Sequence, residues 1–297
     1  MKITVAVLGP GAVGGTFIAR FLGAHYRTIC VAPPVNVQIL ALAGLSFEQN
    51  GNEPLVVRPE VTERLVHPVS LLVVAVKAPQ LEEAIERIEP ETVGGAVVLP
   101  LLNGLEHMEP LRHRFGDRVA AGALSRFEAY RPGRVQVIQK SHTALVTMAS
   151  ETLSDRDLER TVDLLEKAGI DAELGSDEKR VLWTKAARLA VLAPATALTQ
   201  RTVGALRTDL DWRPRLERAV DEACAVATAD GVNLMAAAQW TRITEMDAGL
   251  TTSAARDVAA GRPHEIDAIT GAVVRAGERL GVPTPVLSGL AEQAARL

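Results

Sequence analysis

The opening stretch MKITVAVLGPGAVGG limits what this chain can fold into more than any other segment. Residues 2–8 are rich in β-branched and aliphatic side chains, the composition of a strand buried on both faces of a parallel sheet. Directly after it, Gly9-Pro10-Gly11-Ala12-Val13-Gly14 fits G-x-G-x-x-G, and residues 16–22 continue as a helix. A strand, a tight glycine turn and a helix N-terminus together form a cradle for a pyrophosphate. Gly9 permits the turn, Gly11 admits the phosphates to the backbone, and Gly14 lets the helix pack close to the strand. The helix end adds free N–H groups and a partial positive charge. The six residues Gly9, Pro10, Gly11, Ala12, Val13 and Gly14 are therefore the expected dinucleotide contacts. A glycine-rich turn in another α/β protein is the competing reading.

Strand and helix alternate through the first half. Residues 28–31, 71–76 (LLVVAV) and 96–99 read as further strands, with a helix over 80–88 carrying Leu81, Ala84, Ile85 and Ile88 at helical spacing. Short strands are expected at 118–121, 135–139, 144–147 and 170–174. Ser154 caps a helix that runs to Ala168. Beyond Gly175 the sequence turns alanine-rich and helical, broken near Gly204, Gly231, Gly261 and Gly281. The expectation is an α/β fold: a Rossmann-type dinucleotide-binding domain over 1–175, then an all-helical substrate and catalytic domain over 176–297. The active site is expected in the cleft between them.

With 297 residues, 47% hydrophobic and 23% charged, the chain is long enough for two domains with a sizeable core. A net charge of −4 leaves no basic footprint for nucleic acid, and no basic amphipathic face suits a membrane. No apolar run reads as long enough to span a bilayer, and a strand beginning at Lys2 leaves no room for a leader, so a cytoplasmic location is expected. Cys30 and Cys224 form no CxxC, and the six histidines form no HxxxH, so no metal is expected. The alanine-rich helices also suit pairing into a homodimer.

Four further positions can carry chemistry. Lys77 follows LLVVAV, and Asn103-Gly104 follows a second apolar run; both lie beyond the carboxyl end of a strand, where open α/β sheets bind ligands. Read alone, they are equally a solvated lysine and an ordinary turn. Lys185 sits among Trp183, Ala186, Ala187 and Leu189, where lost solvation would fit it to donate a proton near neutrality. A lysine snorkelling from a helix rim has the same signature. Glu265 follows Pro263 at a helix start, where capping preferences alone explain an acid, and Ser253 stands among small residues at a helix end or kink.

Taken in order, LGPGAVG, VKAPQ, LNG, LWTK, PATAL, GALR and SAARDVAAGRPHEIDAITG resemble the ketopantoate reductase (2-dehydropantoate 2-reductase) family, over essentially the whole chain. The resemblance implies reduction of a 2-keto acid by a nicotinamide cofactor held on residues 9–14, with Lys77 and Asn103 near its ribose and nicotinamide end. It implies Lys185 as the general acid, Glu265 as the carboxylate that orients the substrate, and Ser253 and Asn103 as substrate contacts. At positions where typical members carry asparagines facing the substrate, four and eight residues after the lysine, this chain has Leu189 and Ala193. That implies a less hydroxylated substrate. Family habit implies NADP(H); NAD(H) stays open, because neither an acid nor an arginine follows Val31-Ala32-Pro33-Pro34. A reductase for another carbonyl or imine compound, and a dinucleotide-binding sensor without turnover, remain as alternatives.

Overall fold

In the computed structural model, which describes residues 3–297, the chain divides into two units. One contains the residues up to Leu102 together with His107–Val181; the other contains Asn103–Glu106 and Leu182–Leu297.

The first unit starts with β1 (Thr4–Leu8), α1 (Ala12–Gly23), β2 (Arg27–Val31), α2 (Pro34–Ala43), β3 (Leu45–Gln49), β4 (Leu55–Val57) and β5 (Glu60–Thr62). It continues with β6 (Leu71–Val74), α3 (Leu81–Ile85), β7 (Val97–Pro100), α4 (Met108–Phe115), β8 (Ala121–Ser125) and β9 (Ala129–Gly133). It closes with β10 (Gln136–Gln139), β11 (Leu145–Ala149), α5 (Asp155–Lys167) and β12 (Asp171–Leu174). The strand expected from Lys2 is β1; Lys2 itself lies outside the described residues.

Five strands form one parallel sheet in the order β5-β2-β1-β6-β7. Counted along that sheet this is 3-2-1-4-5, so the strand order reverses between β1 and β6, the place where doubly wound sheets take their ligand. Valine, leucine and isoleucine fill β1, β2, β6 and β7 because helices or further strands cover both faces. On one face α1 buries Phe17, Ile18 and Phe21, each contributing about 1.5–3 kcal/mol by leaving water. Its Gly15 faces Val137 of β10, where an added Cβ would stand 2.6 Å from the valine methyl. The remaining strands form two mixed sheets, β4-β3-β10-β9 and β12-β11-β8.

The helix expected over 80–88 is cut to α3 plus a 3₁₀ turn, Ala78–Gln80. Leu65 captures its last turn: the Leu65 N–H donates to the Arg87 carbonyl at 2.8 Å, and the Glu89 N–H donates to the Leu65 carbonyl at 3.2 Å. The strand expected over 118–121 begins at Ala121, because Gly116–Arg118 forms a 3₁₀ turn. Ser154 caps α5 as expected, its side chain accepting from the Asp157 N–H.

The second unit holds α6 (Glu178–Thr199, from its second turn), α7 (Val203–Arg207), α8 (Trp212–Ala229), α9 (Ala236–Glu245) and α10 (Ser253–Ala259). After them come a π-helical turn, Asp267–Gly271, then α11 (Ala272–Leu280) and α12 (Pro285–Ala294). The contact boundary falls at Val181 because the first turn of α6 is tied to the first unit. Glu178 pairs with Arg112 and accepts from the Glu151 N–H, and Val181 packs over Gly175.

Against the expectation from sequence, α6 is by length and composition apolar enough to cross a membrane. Its apolar residues are spent on a protein core, with 67% of the apolar window buried. Trp183, Val191, Leu192 and Ala195 pack there with Leu216, Val220, Ile243, Val273 and Leu287.

Candidate active site

The glycine cradle stands at the reversal of strand order. Gly9 ends β1 with φ +94, and an added Cβ would lie 2.6 Å from the Val76 side chain and 3.2 Å from the Ala75 carbonyl. At Gly14 an added Cβ would lie 2.0 Å from the Gly9 carbonyl oxygen. The fold's own packing therefore demands glycine at both positions. Gly11 differs. Its φ of −70 suits any residue, and an added Cβ would meet only the Ala75 carbonyl at 3.6 Å, an ordinary contact. Nothing inside the protein requires glycine at 11, which leaves the space above it for a ligand. Gly11 is also the N-cap of α1, with no side-chain cap and no acid in the first turn. Backbone donors and the helix dipole thus face an anion site without an internal carboxylate competitor. The residues fit a dinucleotide pyrophosphate. Across the reversal, Lys77 follows Val76 and begins the turn Ala78–Gln80, with φ −75 and ψ 148.

In the second unit Lys185 lies on α6, about two turns past the helix start at Glu178, partly covered by an apolar neighbourhood. Loss of solvation lowers its pKa from the usual lysine range to about 8; the Glu265 carboxylate acts to raise it and the Arg188 guanidinium to lower it further. An ammonium poised near neutrality, with a carboxylate acting on it, is suited to donate a proton. Leu189 is half-buried, whereas Ala193 is enclosed in the core.

Three threonines and a proline lock the segments around Lys185. Pro194 lies inside α6 and has no N–H to offer the Ala190 carbonyl. That carbonyl instead accepts from Thr270 Oγ1 at 2.9 Å, within the π-helical turn that follows Glu265. Two residues past Pro194 on α6, Thr196 Oγ1 donates to the Leu192 carbonyl at 2.7 Å and bonds Thr252 Oγ1 at 2.7 Å. Thr252 is the N-cap of α10, its side chain accepting from the Ala255 N–H, so Ser253 is the exposed first residue of that helix. π-Helical turns break the regular ladder and recur at functional sites.

Asn103 is placed by its neighbours. Gly104, with φ +93, lies against the π-helical turn so closely that an added Cβ would stand 2.1 Å from the Ala268 carbonyl oxygen. Arg275 of α11 binds both oxygens of Glu106, at 2.8 and 2.7 Å, and reaches Asp267 at 3.0 Å. Hydrogen bonding to Glu106, against some desolvation, raises the Arg275 pKa above the ordinary arginine value. The segment Asn103–Glu106 is thereby held against the π-helical turn and α11, which follow Glu265 in the chain.

The structure thus groups the expected residues in two sets. Gly9 to Gly14 and Lys77 gather in the first unit; Asn103, Lys185, Ser253 and Glu265 belong to the second. Sequence reading missed the bracing residues Pro194, Thr196, Thr252 and Thr270 and the clamp Arg275. A proline inside an alanine-rich helix, leaving a carbonyl that needs a donor, was the available signal.

The family models described as "Ketopantoate reductase PanE/ApbA" and "Ketopantoate reductase PanE/ApbA C terminal" match residues 5–150 and 177–297. A 2-dehydropantoate 2-reductase of Vibrio cholerae is 27% identical over 298 residues, covering 98% of this chain and 96% of that protein. One of Pyrobaculum aerophilum is 31% identical over 224 residues, covering 75% of each. Among solved structures, a ternary complex of D-mandelate dehydrogenase with NADH and anilino(oxo)acetate superposes with a TM-score of 0.90 at 20% identity, covering 99% of this chain and 98% of that one.

Proposed function

The chain belongs to the ketopantoate reductase family of oxidoreductases, and from that premise we propose that it reduces 2-dehydropantoate or a close 2-keto acid to the 2-hydroxy acid. The observation that carries this reading is Lys185, with its pKa lowered to about 8 and the Glu265 carboxylate acting on it. A nicotinamide dinucleotide, when bound, supplies the hydride. Gly9 to Gly14 hold its pyrophosphate through backbone N–H groups, and Lys77 and Asn103 meet its ribose and nicotinamide end. The Lys185 ammonium polarises the keto oxygen and protonates the oxygen as negative charge develops on it, which combines general acid catalysis with charge stabilisation. Glu265 orients the substrate and keeps Lys185 protonated. Ser253 and Asn103 contact the substrate, Ser253 on its carboxylate side.

At the end of β2, Ala32, Pro33 and Pro34 offer neither the acid of an NAD site nor a cation for a 2′-phosphate. NADP(H) is therefore proposed on family resemblance alone, with NAD(H) as the alternative that the assay below separates. Leu189 beside Lys185 favours substrates with few hydroxyl groups, since it cannot pair with them. The test is oxidation of NADPH and of NADH with 2-dehydropantoate and a panel of simpler aliphatic and aryl 2-keto acids. Turnover of a 2-keto acid is the expected result. Cofactor binding with no turnover across the panel would instead favour a sensor.

A further inference from the structure

Three residues past Lys185 on α6 stands Arg188, a guanidinium that the mechanism above does not use. It is half-buried, and loss of solvation lowers its pKa to about 10; the nearby charge of Arg242 lowers it further, against a small opposing effect of Cys224. Its Nη1 donates to Oε1 of Gln239, a buried side chain of α9, at 2.6 Å. Among the described residues no carboxylate pairs with Arg188, in contrast to the half-buried Arg112, Arg114 and Arg118. The half-buried Arg20 and Arg207 likewise bond only amide and carbonyl oxygens, but neither stands one helical turn from Lys185. A desolvated guanidinium costs stability unless an anion offsets it, and a second cation beside it adds to that cost. Gln239 fixes one nitrogen and leaves the rest of the fork for a planar acceptor. Arg188 also acts electrostatically on Lys185, so the two cations are near neighbours. Residues three apart on a helix share a face.

We infer that Arg188, held by Gln239 and backed by Arg242, is a binding residue for a carboxylate of the substrate that Lys185 protonates. The inference rests on the 2-keto acid reading and adds the cation that a hydroxyl such as Ser253 cannot supply. A charge-assisted pair of this kind, when lost, weakens binding about 10- to 100-fold.

The experiment compares Arg188→Met, Arg188→Lys and the unsubstituted protein on three substrates: a monocarboxylic 2-keto acid, its methyl ester, and a 2-keto dicarboxylic acid. Thermal unfolding monitors the fold, and dinucleotide binding is titrated separately. Arg188→Met is expected to raise KM for the 2-keto acid about 10- to 100-fold with a smaller change in kcat, and to affect the ester far less. Arg188→Lys should fall between, because it keeps the charge without the fork. Loss on the dicarboxylic acid alone would assign the bound carboxylate to the far end of the substrate; loss on both acids assigns it to the group beside the ketone. An unchanged ratio of acid to ester in both variants overturns the inference and assigns Arg188 to α6–α9 packing. If Arg188→Met does not fold, the same ratio in Arg188→Lys decides. A protein that binds dinucleotide but turns over none of the three fails the underlying reading, and the inference with it.

Discussion

Lys185 and Glu265 set opposing demands on one proton. Burial pushes Lys185 down to about 8, and Glu265 holds it from going lower. In the proposed mechanism the reduction draws its proton from the Lys185 ammonium, so kcat is expected to be flat below pH 8 and to fall as pH rises through that value. Glu265→Gln removes the opposing charge, so the falling limb should move to lower pH, with kcat near neutrality reduced. A pH–rate profile of both proteins measures this; limbs that coincide would detach Glu265 from the titration. Gly11 and Gly14 make a second contrast at this scale. Gly14→Ala puts a Cβ 2.0 Å from a backbone oxygen and should lower the unfolding midpoint. Gly11→Ala meets nothing closer than 3.6 Å and should unfold normally, yet bind dinucleotide at least about tenfold more weakly. Equal dinucleotide affinity in Gly11→Ala would place the pyrophosphate elsewhere.

Elements follow the same logic of needs met across the chain. Pro194 leaves the Ala190 carbonyl to Thr270, and this single bond ties α6 to the π-helical turn behind Glu265. Thr270→Val keeps the shape and removes the donor, which leaves a buried carbonyl unsatisfied at a cost of about 1–3 kcal/mol. Its unfolding midpoint should drop, and kcat should fall with it as Glu265 loses its register; a variant with unaltered stability would show that the carbonyl finds another donor. The buried parallel strands and the capped helix α5 could be read directly, because continuous apolar runs and a Ser-x-x-Asp cap are local signals. The strands β3, β4, β5 and β9 could not. β4 and β5 have three residues each, and β9 contains Pro132 and Gly133, tolerated only because it is an edge strand. α2 was hidden by Pro33-Pro34, which reads as a loop but starts the helix with Pro34 at its first position. The proposed site residues stand in the sequence as a spaced set, whereas Arg188 and the threonine braces carry no local signal: their meaning depends on partners 50 to 80 positions away.

Over the whole molecule, a parallel sheet carries at its reversal of strand order a glycine turn that fits a dinucleotide, and a helical unit carries Lys185, the proposed acid. Each half alone has other uses; the two together, in a chain of this family, specify reduction of a keto acid. The direct test is steady-state oxidation of NADPH with 2-dehydropantoate, run side by side for the unsubstituted protein and Lys185→Ala, with NADPH affinity titrated for both. The expected result is turnover by the unsubstituted protein, a fall of about 10²- to 10⁴-fold in kcat for Lys185→Ala, and similar NADPH affinity in the two. Equal rates would remove Lys185 from the chemistry, and no turnover by an NADPH-binding protein would contradict the assignment of 2-dehydropantoate as substrate.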